Sequence, residues 1–153
     1  MKLAIASDHR GFELKKHIIE YLEKNPPCVL KITDLGPQLS LPVDYPDYAE
    51  KIGKHITQGF AQRGILICGS GVGASVAANK IIGIRAALCS DVFSAHQGVE
   101  DDDMNILVLG AGTVGLLLAE DLVKTFLTAH FKKEERQLRR LRKIAALEHK
   151  LAS

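Results

Sequence analysis

The segment 68–73 carries the residues best suited to chemistry, in the order Cys-Gly-Ser-Gly-Val-Gly. It follows an apolar run typical of a buried strand and leads into small residues typical of a helix. Main-chain N–H groups and the positive end of a helix at such a turn stabilise a thiolate. Glycines also allow several N–H groups to approach one small oxyanion. The segment therefore predicts a general base, Cys68, beside a site for a developing negative oxygen.

The cysteine and the glycine-rich turn each have an ordinary interpretation as well. A glycine-rich turn more often binds a nucleotide phosphate, but neither the G-x-G-x-x-G fingerprint nor a Walker lysine is present. A buried cysteine is usually an inert small hydrophobe. The adjacency of thiol and glycines favours catalysis, whereas Cys28 and Cys89 lack such a setting and are predicted to be core residues. A nucleotide-binding module is the rival interpretation.

Two further pairs of residues are candidates for a site. Asp8 and His9 follow the first apolar run and open a helix, a better setting than that of a lone histidine, which is more often structural. Arg136 and Arg140 are spaced i, i+4, so both guanidinium groups lie on one face of a helix. Such a pair can hold a phosphate by bidentate hydrogen bonds, although a solvated face with salt bridges to neighbouring glutamates is the ordinary interpretation.

The elements that must position these residues alternate along the chain. The predicted strands are residues 3–6, 29–32, 64–68, 84–89 and 106–109, and the predicted helices are 12–23, 48–60, 74–79, 92–99, 114–127 and 134–151. Apolar strands that alternate with helices indicate an α/β fold with a parallel sheet covered on both faces. Sites in such sheets form beyond the carboxyl ends of the strands, where Asp8, Cys68 and Gly110 are expected.

Composition narrows the class of protein. The 153 residues fit one domain, residues 1–153, and a net charge of +2 favours neither a nucleic-acid partner nor a membrane surface. Three cysteines without metal-ligand spacing indicate neither a disulfide framework nor a metal site. Reduced thiols, with no signal peptide and no run of about 18 apolar residues, predict a cytoplasmic protein.

The last predicted helix has its own apolar row. The row comprises Leu138, Leu141, Ile144, Ala145, Leu147 and Leu151. This helix follows the final strand and has little sheet left to cover, so we expect it to dock on a partner. Residues 132–153 are therefore predicted to be the dimerisation arm of a homodimer. The same arm is basic, with eight Lys or Arg against three Glu, which by itself indicates a solvated helix face.

Taken together, the motifs resemble the type B ribose-5-phosphate isomerases, which are grouped with the galactose-6-phosphate isomerases. The resemblance covers nearly the whole chain. It rests on Ser7-Asp8-His9-x-Gly11-Phe12, Asp44-Tyr45-Pro46-x-Tyr48-Ala49, residues 64–73 with Cys68-Gly69-Ser70-Gly71-Val72-Gly73, Ala77-Ala78-Asn79-Lys80, Gly83-Ile84-Arg85-Ala86, and the spacing of Arg136 and Arg140.

The resemblance implies a Rossmann-like three-layer sandwich with five parallel strands, active as a homodimer or a dimer of dimers without metal or cofactor. It implies that Cys68 removes the proton beside the carbonyl of a sugar phosphate and that Ser70 moves protons between the two substrate oxygens. It further implies that the N–H groups of residues 69–73 hold a cis-enediolate. The remaining contacts it implies come from Asp8, His9 and Tyr45 and, from the partner chain, Arg136 and Arg140.

The sequence departs from the family at two places. Ribose-5-phosphate members usually have a His-Asn pair before the fifth strand, whose histidine opens the sugar ring; alignment on Asn105 puts Asp101 and Asp102 there. A neighbouring run of acids raises the pKa of one of them by repulsion, so Asp101 is a candidate proton donor and Asp102 a candidate substrate contact. At the second place the Leu-Gly-Ala-Arg signature ends in Gly112, and an arginine that usually helps to bind phosphate is absent.

These departures leave three hypotheses open. The enzyme acts on ribose 5-phosphate with Asp101 or water opening the ring, or it acts on another sugar phosphate. A four-carbon ketose such as erythrulose 4-phosphate cannot close a ring through its phosphorylated oxygen and needs no ring-opening histidine, so this class is favoured. The third hypothesis, from a different functional class, is a sugar-phosphate-binding protein that has lost catalysis. His17 and His96 are possible substitutes for the missing histidine, although histidines on helix faces are more often structural.

Overall fold

The computed structural model describes the backbone of residues 1–150 and the side chains of residues 1–148. Five strands and six helices lie within this part of the chain. The strands are β1 (Lys2–Ser7), β2 (Lys31–Asp34), β3 (Arg63–Cys68), β4 (Ala86–Leu88) and β5 (Ile106–Gly110). The helices are α1 (Phe12–Lys24), α2 (Tyr45–Thr57), α3 (Val72–Ala78), α4 (Val92–Asp102), α5 (Leu116–Thr128) and α6 (Glu135–Lys150).

The five strands form one parallel sheet in the order β2-β1-β3-β5-β4. The three central strands are apolar and buried along almost their whole length, as strands covered on both faces must be. One core cluster joins the sheet to α1, α4 and α5, and a second joins it to α2 and α3. The predicted α/β three-layer sandwich with a five-stranded parallel sheet is confirmed.

Gly11 brings the start of α1 onto the end of β3. A Cβ atom added at Gly11 would lie 2.5 Å from the carbonyl oxygen of Ile67 and 2.8 Å from its Cγ2, so a side chain is excluded there. The backbone N–H of Asp8 donates to the same carbonyl oxygen at 3.0 Å. The loop after β1 is therefore held against the strand that ends at Cys68.

Several element boundaries differ from the predicted ones. Helix α2 begins at Tyr45 rather than Tyr48, because Pro46 is well suited to the first turn of a helix. Its fixed φ is helical, and the N–H that proline lacks would have no intrahelical partner in that turn. Helix α4 continues to Asp102, past its predicted end at residue 99, so Asp101 and Asp102 belong to a helix end rather than to a loop. Strand β2 is displaced by two residues, to Lys31–Asp34.

Helix α6 lies on α4 and away from the sheet. Gln137 is fully buried at this contact, whereas Leu138, Ile144 and Leu147 on the same helix are exposed in the single chain. Leu151, which the predicted apolar row includes, lies outside the described residues. No helix in the described part of the chain is long and apolar enough to cross a membrane.

Candidate active site

The carboxyl ends of β1, β3 and β5 meet at one edge of the sheet. Ser7 pairs with Ile67, and Cys68 pairs with Gly110. The N–H of Ala111 donates to the Cys68 carbonyl at 2.8 Å, and the N–H of Gly112 donates to the Gly69 carbonyl at 2.8 Å. The loops after β3 and β5 are thus bonded to each other, at the sheet edge where sites form in parallel sheets.

Cys68 points to the α2 and α3 face of the sheet and is only 5% exposed. The N–H of Gly71 donates to its Sγ at 3.2 Å, so the sulfur is a hydrogen-bond acceptor within its own loop. Gly71 has φ +82°, and an added Cβ would lie 2.5 Å from Cδ1 of Leu88, so both the backbone and the space require glycine. Ser70 follows the cysteine by two residues; it is exposed, and its hydroxyl accepts from the Val72 N–H at 3.4 Å.

Tyr45 covers the end of the glycine-rich loop. A Cβ added at Gly73 would lie 2.6 Å from Cζ and 2.9 Å from the phenol oxygen of Tyr45. The tyrosine comes from the first turn of α2, and its side chain is 39% exposed. Its ring and hydroxyl therefore border the cysteine loop on the solvent side, and the assignment of Tyr45 as a substrate contact stays a prediction.

Asp8 and His9 form a second border of the site. The Asp8 carboxylate is buried, and its Oδ1 accepts from the N–H groups of Arg10 at 2.9 Å and Gly11 at 2.8 Å. These bonds fix the turn into α1 and with it the direction of the His9 side chain. His9 Nδ1 lies 3.2 Å from both the N and the O of Val43, so the ring is held by the loop that precedes α2.

Lys15, which is not among the residues predicted from the sequence, stabilises the loop that precedes α2 from inside the protein. Its Nζ donates to both Asp34 oxygens, at 2.6 and 2.7 Å, and to the Pro37 carbonyl at 2.9 Å, while the side chain is 1% exposed. A detectable signal was present, because Lys15 falls on the buried face of α1 with Ile18 and Leu22. A lysine at such a position needs a buried partner.

Asp101 and Asp102 lie at the opposite end of the sheet from Cys68, beside the start of β5. Asp101 accepts hydrogen bonds from Gln137 Nε2 at 3.0 Å and from Gln97 Nε2 at 3.2 Å. The Gln137 hydrogen bond, with the positive charge of Arg136, lowers the pKa of Asp101. The expectation of a raised pKa is therefore wrong, because hydrogen-bond donors and cations outweigh the repulsion between acids. Asp102 is exposed.

The two predicted arginines are also remote from Cys68 within one chain. Arg136 and Arg140 are exposed on α6, which lies on α4 rather than over the cysteine loop. The other histidine candidates lie on helix faces: His17 Nε2 is 2.7 Å from Glu120, and His96 Nδ1 is 3.8 Å from Glu100. The structure thus brings together one set of predicted residues around Cys68 and a separate set at the contact of α4 and α6.

The other two cysteines differ from each other. Cys89 is buried, as predicted, and burial raises the pKa of its thiol to about 11, with the charge of Asp91 adding to the effect. Cys28 is exposed in the loop before β2, so its assignment to the core is wrong. No group of three or more His, Cys, Asp or Glu side chains within the described residues is arranged to hold a metal ion.

Known proteins match this chain over nearly its whole length. The family described as Ribose/Galactose Isomerase matches residues 3–144. Ribose-5-phosphate isomerase B of Escherichia coli is 39% identical over 149 residues, with 97% of each chain covered, and the D-erythrulose-4-phosphate isomerase of Pectobacterium atrosepticum is 37% identical over 134 residues, with 86% of each covered. The ribose-5-phosphate isomerase B structure from Clostridium thermocellum superposes with a TM-score of 0.93 at 43% identity, with 99% of each chain covered.

Proposed function

We propose that this chain, which belongs to the ribose/galactose isomerase family and is an aldose–ketose isomerase of sugar phosphates, works through a cis-enediolate with Cys68 as the base. The observation that carries this proposal is the Gly71 N–H donated to the Cys68 sulfur, within a loop that opens helix α3, whose first N–H groups have no intrahelical partner. One short segment thus supplies a base and donors for a developing oxyanion.

The proposed reaction is a proton transfer that leaves the enzyme unchanged. The Cys68 thiolate removes the proton from the carbon beside the carbonyl, and the carbonyl oxygen becomes the negative oxygen of an enediolate. The N–H groups of residues 69–73 stabilise that oxygen. Ser70 moves a proton between the two substrate oxygens, and the Cys68 thiol then returns its proton to the neighbouring carbon. Asp8 fixes the turn that positions His9. His9 and Tyr45 contact the sugar and orient it.

We propose that a second copy completes the site in a homodimer or a dimer of dimers. Asp101, Asp102, Arg136 and Arg140 are the residues we assign to the partner's contribution. They lie at the contact of α4 and α6, away from the cysteine loop of their own chain, and beside the exposed apolar side chains of α6. Apolar exposure of this kind is typical of an interface.

We propose a four-carbon sugar phosphate as the preferred substrate. Opening a sugar ring requires an acid–base group at the position of the absent histidine, but Asp101 has a lowered pKa and both its oxygens already accept hydrogen bonds. A tetrulose phosphate stays open without such a group. Similarity to the D-erythrulose-4-phosphate isomerase supports this choice, while similarity to ribose-5-phosphate isomerase B keeps ribose 5-phosphate as the second candidate.

Turnover of a panel of tetrose, pentose and hexose phosphates tests the substrate and the base together. We expect the tetrose to have the highest kcat/KM, and Cys68→Ala to remove turnover while Cys89→Ala, a control at a cysteine kept protonated, retains it. Faster turnover of ribose 5-phosphate refutes the substrate proposal. Turnover that survives in Cys68→Ala refutes the mechanism, and binding without turnover by the wild-type protein supports the binding-protein alternative.

Subunit complementation tests the shared site. Cys68→Ala and the double variant Arg136→Ala/Arg140→Ala are each expected to be inactive. When the two variants are mixed and exchange subunits, a mixed dimer has one site that combines the intact Cys68 loop of one chain with the intact arginines of the other. Activity is then restored if the two chains share the site. No recovery in mixed dimers, or a monomer by sedimentation, contradicts this arrangement.

A further inference from the structure

The side chain of Arg10 lies over the loop that follows Cys68. A Cβ atom added at Gly69 would lie 2.7 Å from Nε and 2.8 Å from Cζ of Arg10, so the guanidinium group rests on the Gly69 backbone. The backbone of Arg10 is itself fixed, because its N–H donates to the buried carboxylate of Asp8 at 2.9 Å. The turn between β1 and α1 therefore holds the positively charged Arg10 side chain over the loop that follows Cys68 of the same chain.

The Arg10 guanidinium has no acidic partner among the residues that the structure describes. Its side chain is exposed, and its three side-chain nitrogen atoms donate no hydrogen bond within the described residues; the one Arg10 donor in use is the backbone N–H. By contrast, the partly buried Arg85 donates to the Asp103 carboxylate at 2.7 Å. Arg10 thus has its planar set of donors available for a ligand.

Gly112 approaches the same loop from the other side. Its N–H donates to the Gly69 carbonyl at 2.8 Å, and an added Cβ would have only that carbonyl oxygen nearby, at 3.2 Å. Positions 10 and 112, which follow β1 and β5, therefore both border Gly69. The absence of a side chain at position 112 leaves open space beside the Gly69 carbonyl, whereas Arg10 contacts the Cα side of Gly69.

We propose that Arg10 binds the phosphate group of the substrate and supplies, from the loop after β1, the positive charge that a side chain at position 112 does not provide. A guanidinium group suits a phosphate dianion because it donates two parallel hydrogen bonds. Its place beside Gly69 puts the phosphate at the rim of the cysteine loop, with the sugar carbons directed toward Cys68. This inference rests on the proposed function.

Four variants test the role of Arg10: Arg10→Ala, Arg10→Lys, Arg10→Ala/Gly112→Arg, and Lys24→Ala as a control at an exposed cation on α1. Loss of a charged hydrogen-bonding group corresponds to about a 10- to 100-fold effect. We expect Arg10→Ala to raise KM, and the inhibition constant for inorganic phosphate, by that factor with little change in kcat. Arg10→Lys should recover part of the loss and the Gly112→Arg double variant more of it, while inhibition by an unphosphorylated tetrulose stays constant.

Two outcomes overturn the inference. One is a KM and a phosphate inhibition constant that stay at the wild-type values in Arg10→Ala. The other is an equal rise in Lys24→Ala, which indicates a general charge effect rather than a contact. Calorimetric binding of inorganic phosphate to wild type and Arg10→Ala does not depend on turnover. It therefore decides the role of Arg10 even if the wild-type protein isomerises none of the sugar phosphates and the proposed function fails.

Discussion

Replacing Lys15 with methionine tests how the loop that holds His9 is stabilised. The substitution keeps the apolar stem of the side chain and removes the ammonium group, which donates to Asp34 and to the Pro37 carbonyl. The lysine is 1% exposed and Asp34 is 30% exposed. The carboxylate therefore keeps some water after the substitution, and it also keeps the N–H of Gly36, at 2.8 Å.

The size of the effect follows from this partial exposure. Breaking a fully buried ion pair costs about 3–5 kcal/mol, and exposed pairs are worth about 0–1 kcal/mol. The Lys15 pair lies between these limits and has a carbonyl acceptor in addition, so we expect a loss of about 2–3 kcal/mol in the free energy of unfolding. For a chain of 153 residues this corresponds to a fall in Tm of about 5–10 °C.

Urea unfolding of Lys15→Met, Asp34→Asn and the double variant measures the pair directly, with the exposed Lys16→Met as a control. We expect a coupling free energy of about 1 kcal/mol or more, as for residues in one network. Because the loop carries Val43, the partner of His9, we also expect KM to rise about 2- to 10-fold from the added cost of ordering it. Additive single effects, or a loss no larger than that of Lys16→Met, refute this account.

Two further predictions concern the rim of the site and the arm. Gly73→Ala must displace Tyr45, because the added Cβ lies 2.6 Å from its ring, and we expect KM to rise about tenfold, while Gly115→Ala, with open space at its Cβ, leaves KM unchanged. Asp101 has a lowered pKa in the folded protein, so its contribution to stability is complete above the unfolded value of about 4 and is lost as pH falls through the folded value. Scanning Tm from pH 7 to pH 3 should show the gap between wild type and Asp101→Asn closing at the acidic end; a constant gap contradicts the Gln137 contact.

The sequence was sufficient for the sheet and for the residues next to its strand ends. The apolar run at 64–68 and the glycines after it predict both β3 and the loop around Cys68, because an apolar pattern and the turn preference of glycine can be seen in adjacent residues. Arg10 and Lys15 were missed because their roles depend on contacts with residues distant in the chain. The direction of the Asp101 pKa shift was wrong for the same reason, since Gln137 lies on another helix.

The two faces of the sheet offer unequal room for protein engineering. The core on the face of Cys68 is rich in alanine, namely Ala4, Ala6, Ala49, Ala61, Ala74 and Ala78, whereas the opposite core contains Leu, Ile and Phe side chains. Replacing one of these alanines with glycine removes little contact. Replacing it with a larger residue in a filled layer costs about 1–3 kcal/mol and shifts the backbone. A library that varies large residues can therefore be confined to the face away from the sulfur. There the protein can gain or lose stability while the loop that performs the chemistry keeps its shape.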